Sequence, residues 1–172
     1  MKKIFKYIFA GMAAMSVVAC SEDALETSPS SSVSGNELLG TATNALVSLN
    51  GVYRAMYTAG VSNSSNTHQC FGITAYNLVA DVMGEDCIMN GQGSGWFWYD
   101  CVYNVKSRYT STGWRSYDMW NGYYTWISNV NYILAEEETM SGSETEKNYV
   151  LGQAYAVRAY SYFMLAQMFS RT

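Results

Sequence analysis

The stretch from Trp114 to Phe169 constrains this chain more than any other, because its apolar residues recur with a period that only a helix satisfies. Trp120, Tyr124, Ile127, Asn131 and Leu134 stack on one stripe, with Tyr123 and Val130 widening it, which predicts a long helix that needs a partner. The charged turn Glu136 to Glu146 separates it from a second segment, Val150 to Phe169, that is apolar on nearly every face. Such a helix is expected to be covered on more than one side, as the central helix of a bundle. Small residues at Gly152, Ala154, Ala156, Ala159, Ser161 and Ala166 let neighbouring backbones come close. Helix pairs stacked in this way are the unit of tetratricopeptide-type solenoids, so the expected fold is all-α, a TPR-like helical-repeat bundle with long irregular loops. Arg158 is the one charge inside the second segment. Set between Val157 and Ala159, it is expected to be buried or half-buried and met by carboxylates or helix-end carbonyls.

Composition narrows the partners. Aromatic residues make up 15% of the chain and charged residues only 14%, so the surface is built from Tyr, Asn, Ser and Gly instead of Lys and Glu. The net charge of -4 and the lack of a basic cluster beyond the N-terminus argue against nucleic acid as a partner. A single proline fits a helical protein.

The first residues combine Lys2, Lys3 and Lys6 with an apolar run from Tyr7 to Ala19, the pattern of a secretory leader over residues 1–19. Val17-Val18-Ala19-Cys20 resembles a bacterial lipobox, which implies that Cys20 is acylated and becomes the mature N-terminus. Acyl chains contribute roughly 0.8 kcal/mol per buried methylene, so two or three anchor a protein without a membrane-spanning helix. Residues 20–35, which include Ser28-Pro29-Ser30-Ser31-Ser32, have almost nothing to bury and read as a tether ahead of a helical domain over 36–172.

In that domain a first helix is expected from Asn36 or Thr43 through Tyr57, with Leu46, Leu49, Tyr53 and Met56 on one face and Thr41 or Thr43 as cap. A second is expected from Phe71 to Met83, with Phe71, Leu78 and Val82 on one side and Gly84 at its end. Asp81, Glu85 and Asp86 crowd that end, where the helix dipole disfavours carboxylates. Arg158 is the expected counter-ion, with Asp81 or Asp86 as its partner. The carboxylate spacing lacks the alternation of a calcium loop, and neither a metal nor a cofactor is expected. Cys70, Cys87 and Cys101 match no redox or zinc spacing; they are either buried thiols or include a Cys87–Cys101 bridge across the glycine-rich loop.

That loop, Asn90 to Gly95, fits neither a dinucleotide fingerprint nor a nucleophile elbow. The run after it, Trp96-Phe97-Trp98-Tyr99-Asp100-Cys101-Val102-Tyr103, holds too many rings for all to face inward. Either these rings pack the loop onto the helices, or some stand exposed and stack on the apolar faces of sugar rings. Trp96, Trp98 and Tyr99 are the candidate ligand contacts. No catalytic set accompanies them: the only histidine, His68, lies in a polar loop with no nucleophile motif, and an enzyme is not expected.

Trp120-x3-Tyr124-x2-Ile127-x3-Asn131-x2-Leu134, followed by Gly152-Gln153-Ala154-x3-Arg158-Ala159-x3-Phe163-x-Leu165, resembles the SusD/RagB family of surface nutrient-binding lipoproteins. Ala45-Leu46-x2-Leu49-Asn50-Gly51-x-Tyr53 resembles that family's opening helix, while Gln153 stands where the family usually carries a carboxylate. The resemblance implies a lipid-anchored outer-membrane protein, exposed at the cell surface, that binds an oligosaccharide or other nutrient and delivers it to a SusC-type TonB-dependent transporter. A different class, a helical-repeat scaffold whose partner is purely protein, remains as the alternative. The resemblance also implies that the chain is an incomplete, N-terminal portion of a longer protein, with an apolar patch around Tyr155, Tyr162, Met164 and Phe169.

Overall fold

The structure, a computed structural model, describes residues 38–84, 87–102 and 109–170. The described residues form helices α1 (Ala42–Ala55), α2 (Ile73–Met83), α3 (Trp98–Cys101), α4 (Trp114–Ala135) and α5 (Glu144–Phe169), and contain no strand. The class is all-α, as the periodicity requires. An isolated bridge between Thr41 and Ser141 ties the start of α1 to the turn before α5.

Two helices, α1 and α5, begin at a side-chain cap. Thr41 Oγ1 accepts from the Asn44 amide at 3.1 Å, fixing the start of α1. α5 begins at Glu144, six positions before the apolar run, because Ser143 and Glu146 form a reciprocal capping box. The Ser143 amide donates to Glu146 Oε2 at 2.9 Å and the Glu146 amide donates to Ser143 Oγ at 3.3 Å. The Ser143 hydroxyl, which donates to Glu146 Oε2 at 2.7 Å, and then the Ser143 amide hold the Glu146 carboxyl below its usual value.

α4 and α5 form an antiparallel hairpin: Trp120 meets Phe169, Asn131 meets Arg158, and Glu137 meets Tyr155. α1 packs against both. The buried stripe of α4 is Met119, Tyr123, Trp126, Ile127, Val130, Ile133 and Leu134. The expected stripe is therefore rotated: Ile127 and Leu134 are buried, whereas Trp120, Tyr124 and Asn131 lie exposed along the outer edge of the α4–α5 seam. The reason is that α2 contributes Tyr76, whose ring packs on Tyr123 and Trp126 and pulls that side of α4 inward. Gly122 makes the approach sterically feasible, since a Cβ there would stand 2.1 Å from the Tyr76 hydroxyl.

α2 shows the same rotation. It buries Ala75, Tyr76, Val79 and Val82, while Leu78 is exposed and Phe71 precedes the helix as a partly buried neighbour of the core. α5 buries a single stripe, Val150, Leu151, Ala154, Val157, Ser161 and Leu165. Tyr149, Tyr155, Tyr162 and Phe163 are exposed, so among the described residues α5 is an edge helix and not the central one.

Arg158 corrects a second expectation. It is half-exposed, donates to Asn131 Oδ1 at 3.1 Å and rests over the Tyr155 ring at 4.9 Å. Its partner is an amide, not a carboxylate. Asp81 is exposed on α2, and Asp86 lies outside the described residues. The side chain at Gln153 also forms no ion pair: its Oε1 accepts from the Tyr53 hydroxyl at 3.0 Å, across to α1. Cys70, Cys87 and Cys101 are all free thiols, so the Cys87–Cys101 bridge is absent. Burial pushes the Cys70 thiol up to about 12, which leaves it protonated and inert at neutral pH.

Candidate functional site

The aromatic run is not a flat platform. Gly93, Gly95 and Phe97 all have positive φ, at 52°, 87° and 57°, and these turns carry the chain into the short helix α3. Phe97 is the non-glycine among them; its ring is buried edge-on to Phe71 at 6.1 Å, and its amide donates to Gln69 Oε1 at 2.8 Å. Burial and this hydrogen bond offset the strain of a left-handed phenylalanine.

Beneath the run lies the arginine that is truly buried, Arg115, at 4% exposure in the first turn of α4. It forks onto Asp100 of α3, with Nε to Oδ1 at 3.2 Å and Nη2 to Oδ2 at 2.8 Å, and Nη1 donates to the Gln69 carbonyl at 2.7 Å. Trp114 covers its guanidinium at 4.3 Å and Phe97 lies at 5.2 Å. The Tyr109 hydroxyl donates to Asp100 Oδ1. One guanidinium thus holds three separate segments together: the loop at Gln69, α3, and the start of α4. Removing one partner of such a buried pair costs roughly 3 to 5 kcal/mol.

A second carboxylate, Asp118, stands one turn further along α4 and is fully buried. Ser62 donates its hydroxyl to Asp118 Oδ1, and the Tyr76 hydroxyl donates to the Asp118 carbonyl at 3.0 Å. Oδ2 has no hydrogen-bond partner and faces Arg115 Nη1 at 3.6 Å. Burial raises the Asp118 carboxyl above the usual carboxylate value, with Ser62, Cys70, Arg115 and Tyr76 each pulling the other way.

Over this ionic floor opens a cleft of about 370 Å³ lined by Tyr99, Asp100, Tyr109, Thr112, Gly113, Trp114 and Arg115. Three aromatic rings and a threonine hydroxyl around a neutralised ion pair suit a ligand that offers both apolar faces and hydroxyls. A larger cleft of about 540 Å³ lies beside it, sharing Tyr109, but its walls are mainly Val79, Ala80, Met83, Met119, Met168 and Phe169. Thr110, Ser111 and Ser116 add hydroxyls on one side, but the walls are predominantly apolar and lack an ionic pair, which makes it the weaker candidate.

The sequence-predicted residues separate. Tyr99, 46% exposed, is in the cleft wall. Trp96, 48% exposed, stands outside it with His68 stacked on one face at 4.7 Å, so only its other face is open. Trp98 is half-buried at the start of α3. Tyr109, Trp114, Asp100 and Arg115 complete the cleft and were not singled out from sequence. Their signal was Trp114-Arg115-x-x-Asp118, two opposite charges at helical spacing beside an aromatic residue in a charge-poor chain. Cys20 lies outside the described residues.

The aromatic cleft is presented by the loops at one end of a helical hairpin. A sequence model of the SusD-like family, described as "Starch-binding associating with outer membrane", matches residues 25–172, and the chain belongs to this family. No curated protein and no solved structure matches it. No helix among the described residues is long and apolar enough to cross a membrane.

Proposed function

We propose that this protein is a lipid-anchored binding protein of the cell surface that captures an oligosaccharide and passes it to a SusC-type TonB-dependent transporter. In this reading residues 1–19 are removed, Cys20 carries the lipid, residues 20–35 are the tether, and the helical domain follows. The observation that carries the binding part is the cleft at Tyr99, Tyr109 and Trp114, built over a sealed ion pair in a chain of a starch-binding family. Rings stack on the sugar, the Thr112 hydroxyl bonds its hydroxyls, and Trp96 and Trp98 extend the contact beyond the cleft. The binding role assigned to the family is not a catalytic one, and no reaction is proposed.

Calorimetric titration of the full chain with soluble starch fragments tests this reading. Saturable binding is expected, weakened roughly tenfold, or ~1.4 kcal/mol, by Tyr99→Ala and by Trp114→Ala. Tyr99 is the cleaner probe because Trp114 also covers Arg115. Unchanged affinity in both variants would place the ligand elsewhere. One observation favours the alternative of a protein-binding scaffold: the exposed row Trp120, Tyr124, Tyr162 and Phe163 on the α4–α5 hairpin. Absence of any glycan binding would leave that alternative standing.

A further inference from the structure

The ionic floor holds one more carboxylate than its single guanidinium can satisfy. Arg115 is engaged by Asp100 through both oxygens, yet Asp118, which has no exposure and only Ser62 and the weak donor thiol of Cys70 beside its carboxylate, points Oδ2 at the same guanidinium from 3.6 Å without a direct hydrogen bond to it. A buried polar atom left unsatisfied beside a donor group that could turn toward it is the mark of a second arrangement. The two carboxylates also sit on different supports. Asp118 is fixed inside α4, whereas Asp100 rides on α3, a four-residue helix entered through Gly93, Gly95 and the left-handed Phe97.

We propose that Arg115 is a two-position latch for the cleft wall: paired with Asp100 it holds α3 closed against Trp114, and when α3 swings outward it turns to Asp118 Oδ2. Opening then never leaves a buried guanidinium without a carboxylate, and the wall that carries Tyr99 can move without unfolding the domain. The inference rests on the ionic geometry alone and holds whatever the cleft binds.

Amide hydrogen exchange on the full chain reads the latch directly. In the closed form the Phe97 amide at the base of α3 donates to Gln69 Oε1 of the neighbouring loop, a contact the outward swing breaks, so exchange at this amide reports opening of α3. Asp118→Asn removes the alternate anionic partner, and exchange there should slow by about threefold or more while α4 and α5 keep their protection. Asp100→Asn should speed it by about tenfold or more with the same helices unchanged. Unchanged or faster local exchange in Asp118→Asn over an intact hairpin overturns the latch. If Asp118→Asn also loosens the hairpin, the double variant decides. A latch predicts that losing both carboxylates costs far more than the sum of the single losses, and additive losses overturn it.

Discussion

Gly122→Ala sets two opposed effects of known size against each other. Alanine in a helix interior is favoured over glycine by about 1 kcal/mol, so on propensity alone the variant should be more stable. The structure says otherwise. The added Cβ would lie 2.1 Å from the Tyr76 hydroxyl, 3.1 Å from Cζ and 3.3 Å from Cε2, and Tyr76 has no exposure. Its hydroxyl donates to the Asp118 carbonyl at 3.0 Å and to Ser62 Oγ at 3.2 Å, so displacing the ring strands buried polar groups as well as overpacking the core. Overpacking costs roughly 1 to 3 kcal/mol and an unsatisfied buried hydroxyl roughly 1 to 3 kcal/mol more. Net of propensity, a destabilisation of about 1 to 5 kcal/mol is expected, which at a slope of about 2 kcal/mol per M lowers the urea midpoint by about 0.5 to 2.5 M. Tryptophan fluorescence follows the transition, since Trp126 is packed on Tyr76. A second variant isolates the cause: Tyr76→Phe should recover part of the loss in the Gly122→Ala background while destabilising the wild type. A Gly122→Ala protein as stable as the wild type, or a double variant weaker than either single, would refute the close-approach reasoning.

Asp118 gives a pH signature with a definite sign. Its folded carboxyl is raised above its ordinary 3.8, so between that value and the folded one the native state binds more protons than the unfolded chain, and the stability present below 3.8 is lost as pH rises. The urea midpoint of the wild type should therefore fall relative to that of Asp118→Asn as pH rises above about 4, and a flat or rising difference would contradict it. For the lipid anchor, mass spectrometry of membrane-extracted protein should find residues 1–19 missing and Cys20 carrying acyl chains; an unmodified Cys20 in a soluble fraction would defeat that expectation.

The long elements were legible because repetition amplifies a weak signal. α4 and α5 were placed from apolar spacing alone, and α1 from its cap and its spacing. What spacing could not give was the angle at which each helix meets its neighbours. The rotation of the α4 stripe away from Trp120 and Tyr124 follows from a contact between Gly122 and Tyr76 that are far apart in sequence. The same limit governs the charges. Arg158 has apolar neighbours in sequence, which suggested burial, but in a helix the adjacent residues point to other faces, and its side chain reaches the exposed seam beside Asn131.

Arg115 shows the converse: it follows Trp114 at the edge of a polar stretch, reads as a surface residue, and becomes the most enclosed cation among the described residues only because the loops at Gln69 and Asp100 fold over it. The cleft inherits this dependence. Tyr99 was visible as one ring of an unusual aromatic run, but what turns it into a wall is an ion pair from fifteen residues away that no local pattern encodes. Low overall charge sharpens the point, because with so few ionic groups in the chain, a buried cluster of three at one spot is a concentration of specificity where an apolar core would have served stability as well.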